Sequence, residues 1–467
     1  MQTDMATMHA DPIAPVILGV TTILAFAVVG RLGARKLRQP TVLGELMMGI
    51  LLGNLGYWLG LDLIVVLREG PRVFDLVGEI VTGVPVAGAA AALFGPETGA
   101  ELTGVLTGPT GAEVMHIAQS VDLFSRYGII FLLFMVGLST DVKEMRDVGG
   151  DSIRVALIGV FAPVLLGLGA GYLLQPGVSF GAHMFVAATL AATSIGISAK
   201  VLEEMNCLEV RECHVILGAA VIDDVLGLML LAIVSGIVVS GSVDVPQIML
   251  TIVLSMVFIV GAFVAGPHIV RFAAKAMARL DVVEAKMFTS YLFVMVLAWM
   301  ANLVGLATIV GAFAAGVILS DSFFERHNDN GDEKVLTIRE LIMPLEVILV
   351  PIFFILMGMQ VKLESLTSPE VLYLAGGLLV AAIIGKLVAG LGMKEPANQL
   401  VVGIGMLPRG EVGLVFAAIG RTLGVIDDAV FSAIVLMVMI TTLVAPSWLK
   451  SALARQQALS KSPDSSA

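Results

Sequence analysis

Apolar residues in this chain gather into long continuous runs separated by short charged or Gly- and Pro-rich breaks. A helix that crosses a bilayer takes roughly 20 such residues, and scanning for runs of that kind predicts about thirteen spans. They lie near residues 12–30, 41–66, 117–139, 153–174, 182–199, 213–239, 248–270, 286–303, 306–320, 341–360, 370–391, 398–420 and 428–448. Two soluble stretches interrupt the series. Residues 67–116 read as a Gly- and Ala-rich extracytoplasmic insertion, of which 76–94 is apolar enough to lie on or dip into the membrane without forming a span. Residues 321–340 read as a charged inner loop, and the Ser-rich tail 451–467 is expected to be disordered and cytoplasmic.

Basic residues orient the spans. With the N-terminus outside, 20 of the 27 Lys and Arg residues fall on the inner side and five (Arg68, Arg72, Arg126, Lys362 and Arg421) on the outer side. Cytoplasmic loops are the ones enriched in Lys and Arg, so an outside N-terminus and a cytoplasmic C-terminus are predicted. The remaining two, Lys386 and Arg409, fall within spans. Composition sets the class: 58% of residues are hydrophobic and 14% charged, against roughly 25% charged in soluble domains. The expected fold is an all-α polytopic membrane protein, a single transmembrane unit over residues 1–450.

The segment from Gly128 to Val142 echoes that from Val350 to Leu363, each a Phe-rich apolar run ending in a Gly-hydrophobic step and a polar exit. Three further spans follow each, and the predicted sidedness is opposite. Residues 127–239 and 345–450 are therefore expected to be inverted repeats, an arrangement that in secondary transporters places the substrate site at the midplane between copies. Residues 12–66 and 248–320 remain as scaffold.

Asp223 and Asp224 stand in the middle of the apolar run 215–234. A mid-membrane Asp costs roughly 2.5–3.5 kcal/mol on insertion scales, so the pair reads as a cation or proton site needing compensation. Lys386 is an isolated ammonium in its span; it either snorkels to the interface or neutralises one member of the pair, where an arriving cation competes with it. Thr193, Ser194, Gly196 and Ser198 allow close approach and accept bonds where a helix unwinds. In the matching span of the second repeat, Pro408 and Gly410 predict a helix break. Arg409 and Glu411 either offset the half-helix dipoles at the ion site or pair with each other to stabilise the break.

Other polar residues change little. His214 begins the Asp-bearing span and is read as interfacial, with a pH-sensing role as the alternative. Glu45, Asn54, Asp141, Asn302 and Asp321 are read as capping or solvating span ends. Cys207 and Cys213 support neither a disulfide framework nor a four-ligand metal site. The N-terminus lacks the basic region and cleavage site of a signal peptide, so the first run is expected to remain a span. With no phosphate-cradling loop, metal cluster or nucleophile-base constellation, neither enzymatic activity nor a cofactor is expected. A net charge of −11 without a basic tract predicts no nucleic-acid partner.

Gln39–Glu45, Leu133–Leu138, Ala192–Ile197, Leu217–Gly227 and Met406–Leu414 together resemble the bacterial sodium/proton antiporters of the cation:proton antiporter-2 family. The resemblance runs from about residue 12 to 450 and implies thirteen spans, a dimerisation domain beside a core domain, two crossed discontinuous helices and elevator-like alternating access. It implies that Asp224 is the ion-binding carboxylate, Asp223 the partner of Lys386, and Thr193 and Ser194 the unwound segment. Asp-Asp together with the membrane Lys implies electrogenic exchange, where Asn-Asp relatives are electroneutral. The insertion 67–116 departs from the family pattern. The expectation is thus a homodimeric exchanger of Na+ or Li+ for H+ in a bacterial inner membrane, with Na+ at Asp224 and Asp223. A K+/H+ antiporter of the same fold and a Na+-coupled organic anion symporter stand as alternatives.

Overall fold

The computed structural model describes residues 11–461 except 12, 38, 40, 82, 139–141, 241–244, 278, 305–307, 325–335, 365–367, 396–398, 410–412, 414–415, 418–419 and 421–422; at some helical positions, Asp224 among them, it describes the backbone alone. Every regular element among the described residues is helical. In chain order these are α1 (Ala14–Lys36), α2 (Thr41–Trp58), α3 (Asp62–Arg68), α4 (Asp75–Val81), α5 (Val86–Phe94), α6 (Pro96–Thr107), α7 (Gly111–Leu138), α8 (Val142–Leu174) and α9 (Phe180–Ala191). There follow α10 (Ile195–Glu204), α11 (Arg211–Ser240), α12 (Val245–Ala276), α13 (Val282–Leu303), α14 (Thr308–Ile318), α15 (Ile338–Met359), α16 (Pro369–Ala389), α17 (Gln399–Gly405) and α18 (Asp428–Lys461).

Among the described residues nine segments are long and apolar enough to cross a membrane, fewer than the thirteen predicted. Of the four predicted spans not among them, 213–239 lies in the 30-residue α11, where several positions are described by backbone alone, and the other three fall on elements that are short or polar for a span. Helix α2 carries Glu45, Asn54 and four glycines, α14 has only 11 residues, and α17 stops after 7.

The chain divides into two compact units, the first made of residues up to Gly128 with Val347–Glu364, the second of Ile129–Glu346 with Ser365 onward. In the first unit, glycines let backbones touch: a Cβ at Gly49 of α2 would lie 2.2 Å from the Ile355 carbonyl oxygen of α15. Residues 67–116, expected as a loop, instead form short helices that share one core. Leu76, Ala90, Phe94 and Leu102 are buried in a cluster with Ile23 and Ala27 of α1 and Ile352, Ile355 and Met359 of α15. Small residues make this possible, since the Ala-rich α5 and Gly99 of α6 bring the backbones together.

Polar residues here are also more deeply placed than span ends would be. Glu45 is fully buried and accepts from Arg31 Nε. Asn54 donates to the carbonyls of Ile50 and Val361, both at 2.8 Å, and its Oδ1 accepts from Leu363 N at 3.0 Å and Arg68 Nη2 at 3.2 Å. That Nη2 also reaches both oxygens of Glu364, at 2.6 and 2.7 Å, and Arg68 lies over the Tyr57 ring at 4.0 Å. These groups clip the start of the chain to the exit from α15.

In the second unit α8 packs along α9, α11 and α16, and α17 lies against α16 and α18. Asp321 Oδ1 accepts from Lys286 Nζ at 2.6 Å and from Ile338 N at 3.1 Å, fixing the entry to α15. Asp141 lies outside the described residues.

Candidate functional site

Two helix breaks lie together in the second unit. Helix α9 starts on Ser179, whose hydroxyl accepts from Ala182 N at 3.3 Å, and stops at Ala191. Ala192 and Ser194 are extended, with ψ of 138° and 106°, before α10 restarts at Ile195. Thr193 and Ser194 favour this because their hydroxyls compete with helical backbone bonds. Helix α17 stops at Gly405, three residues ahead of Pro408, which lacks an amide hydrogen and holds Leu407 away from helical geometry. Helical residues recur at Gly413, Phe416 and Ala417.

Freed backbone groups in an apolar bundle must find partners, and each break supplies them to the other. Ser194 N donates to the Pro408 carbonyl at 2.9 Å, and Ser198 Oγ to the Gly405 carbonyl at 2.7 Å. Arg409 Nη1 donates to the carbonyl of Ala192, and Thr442 Oγ1 of α18 donates to the carbonyl of Arg409. The C-terminal end of α9 carries partial negative charge, and the guanidinium of Arg409 meets it there. Arg409 is fully buried, yet its Nε and Nη2, like Thr193 Oγ1, find no hydrogen-bond partner among the described residues.

Lys386 of α16 comes to the Asp-bearing helix. Its Nζ donates to Asp223 Oδ1 at 3.2 Å and to the Gly159 carbonyl of α8 at 2.7 Å. Lys386 is 0% exposed and Asp223 2%, so the side chain points into the bundle and does not snorkel. Asp224 occupies the next position of α11 and its side chain is outside the described residues, as is the whole of Glu411. Of the predicted site residues, then, Asp223 and Lys386 pair, while Thr193, Ser194 and Arg409 meet at the crossed breaks.

Several features escape sequence reading. Lys200, counted as an inner-side charge, is half-hidden and bridges Glu203 Oε2 at 2.9 Å and Glu346 Oε1 at 2.7 Å. Asp151 joins Arg154 of its own helix and Arg211 of α11, the latter at 2.8 Å. The partners on other helices, Glu346 for Lys200 and Arg211 for Asp151, are 146 and 60 residues away and leave no local signal. His214, read as interfacial, is buried. Cys207 and Cys213 are buried free thiols, and Cys207 Sγ donates to the Leu202 carbonyl at 3.3 Å.

Comparison with known proteins adds four findings. A family model described as "Sodium/hydrogen exchanger, transmembrane" matches residues 80–455. The high-affinity Na+/H+ antiporter NhaS3 of Synechocystis is 35% identical over 448 residues, covering 94% of this chain and 90% of its own. The Na+/H+-K+ antiporter GerN of Bacillus cereus is 29% identical, covering 75% of this chain and 87% of its own. Among solved structures, the sodium proton antiporter MjNhaP1 of Methanocaldococcus jannaschii at pH 8 is 15% identical with a TM-score of 0.57, covering 96% of this chain and 99% of that one. The last is a likeness of fold.

Proposed function

We propose that this chain, which belongs to the sodium/hydrogen exchanger family, exchanges Na+ or Li+ for protons across a bacterial inner membrane by alternating access. The observation that carries this reading is the buried Lys386–Asp223 pair lying in the same unit as two mutually bonded helix breaks. Buried ionisable residues in a membrane bundle mark ion or proton pathways, and discontinuous helices at corresponding repeat positions mark the site of secondary transporters. The activity for which relatives such as NhaS3 are named, Na+/H+ antiport, supports the choice of ions.

In this reading Asp224 is the principal cation ligand and Asp223 its partner, with Thr193 and Ser194 supplying neutral oxygens. Arg409 balances the dipole at the break, and Glu411 balances Arg409. The cation and the ammonium of Lys386 compete for carboxylate. When the cation enters, protons leave from the carboxylates and Lys386; when protons return, Lys386 reclaims Asp223 and the cation is released on the other side. Because more than one proton site empties per cation, exchange is electrogenic. The active form is a homodimer with the N-terminus outside and the C-terminus cytoplasmic, an orientation supported by the placement of Lys and Arg.

Purified protein in proteoliposomes containing a pH dye tests the reading. Wild type is expected to move protons on addition of Na+ or Li+, and Asp224→Asn to lose at least about 100-fold of that rate, equivalent to about 2.7 kcal/mol of barrier. Full exchange by Asp224→Asn overturns the assignment. Proton movement with K+ at equal efficiency favours the potassium reading, and Na+-driven solute uptake without proton flux the symporter.

A further inference from the structure

We propose that Pro163 is a positioning residue for Lys386, acting through the carbonyl it leaves free on Gly159. The proposal rests on the reading of Lys386 as the cation's competitor. In an α-helix the carbonyl of one residue accepts from the amide four residues later. Pro163 lies inside the continuous helix α8 and has no amide hydrogen to offer Gly159. A carbonyl left unpaired in an apolar bundle is costly, and this one is not unpaired. Lys386 Nζ donates to it at 2.7 Å, closer than the 3.2 Å to Asp223 Oδ1.

The packing around this seat is built for the approach. A Cβ at Gly385, the residue before Lys386, would lie 2.8 Å from Pro163 Cα, so α16 can press against α8 at the proline only because position 385 is bare. A Cβ at Gly159 would come within 3.5 Å of the ammonium nitrogen. The same proline therefore frees the acceptor and forms the surface that sets how Lys386 reaches it.

The ammonium thus has two acceptors of different kinds. Asp223 is a carboxylate that a cation can claim; the Gly159 carbonyl is a neutral group fixed in a helix. When Asp223 turns to an incoming cation, Lys386 keeps the carbonyl and is not stranded without a partner. Removing that seat raises the cost of displacing Lys386, which belongs to cation binding and not to the later movement of the loaded site.

Pro163→Ala tests this by supplying an amide hydrogen that closes the helical bond to Gly159 and competes with Lys386 for the carbonyl. In proteoliposomes the Na+ KM is expected to rise about tenfold or more, the scale of one hydrogen bond to a charged group, with the maximal rate within about twofold of wild type. Pro163→Gly restores the same amide without a side chain and is expected to give the same split. In a Lys386→Ala background, Pro163→Ala is expected to leave KM where Lys386→Ala alone puts it. Wild-type KM in a folded Pro163 variant, or an equal rise with Lys386 absent, overturns the proposal. If Lys386→Ala alone keeps wild-type KM and rate, the reading of Lys386 falls, and this proposal falls with it.

Discussion

Arg68 in the first unit and Lys386 in the second are both buried cations in an apolar helical bundle, and they are held differently. Arg68 meets both oxygens of Glu364, the side-chain oxygen of Asn54 and the face of Tyr57. Lys386 meets one carboxylate oxygen and one backbone carbonyl. The planar guanidinium suits several fixed partners at once, whereas an ammonium is a compact charge on a flexible stem. Burial of a charge is therefore not by itself a sign of transport. What separates the two in the proposed exchange is replaceability: the partners of Arg68 fasten three segments of chain, whereas the exchange requires Lys386 to give up one of its two partners, Asp223, to a cation.

The comparison breaks if the two cations respond alike to removal. The largest difference is expected in the pair Asp223→Asn with Lys386→Met, which removes both charges together. Replacing a buried ion pair by groups that need no counter-charge is often neutral or stabilising by about 1–4 kcal/mol, so thermal unfolding in detergent is expected at or above the wild-type temperature. Exchange is expected to continue through Asp224 but to lose its entire response to membrane potential, read by clamping the potential with a potassium ionophore. A destabilised double variant, or one that keeps its voltage response, shows that this pair is a fastening like that of Arg68.

The converse substitution is Arg68→Ala. It removes one of the two donors to Asn54 Oδ1, which keeps Leu363 N, and the guanidinium that meets both oxygens of Glu364; Glu364 is half-exposed, so water recovers part of the loss. A cost of about 2–3 kcal/mol is expected, below the range for fully buried pairs. Thermal melts measure it, and Na+ KM is expected to stay within about twofold because the lost bonds belong to stability and not to the cation step. A large rise in KM with normal stability would reverse the assignment of the two cations.

Part of this contrast is legible in the sequence. Asp223, Asp224 and Lys386 stand out because isolated charges in long apolar runs are costly, and the breaks near residues 193 and 408 stand out because Pro, Gly and hydroxyl residues disfavour helix. Which acid faces Lys386 was not legible, since adjacent helical residues point about 100° apart; the fold brings Asp223 there. The fastening of Arg68 was hidden for another reason. Its partners Asn54 and Glu364 are 14 and 296 residues away, and no local pattern joins them. The helices of residues 67–116 were missed because Ala- and Gly-rich sequence reads as loop until packing of small residues against α1 and α15 is seen.

Ser198 supplies the smallest and most discriminating test, because it is a neutral group placed between the two breaks. Its Oγ donates to the Gly405 carbonyl at 2.7 Å, one of the bonds that tie α10 to α17. Ser198→Ala removes the donor and leaves a buried carbonyl, a loss of about 1 kcal/mol by the usual value of one such bond. If the crossed breaks act as one rigid element, that loss is expected in thermal stability, with Na+ KM unchanged and turnover reduced by no more than about threefold, since no charge has moved. The small effect then places Ser198 with Arg68, as a fastening that happens to lie near the ions. A KM rise as large as that expected for Pro163→Ala would instead place the Ser198–Gly405 bond among the groups that a cation displaces, and the distinction between fixed and replaceable partners would have to be redrawn around the breaks themselves.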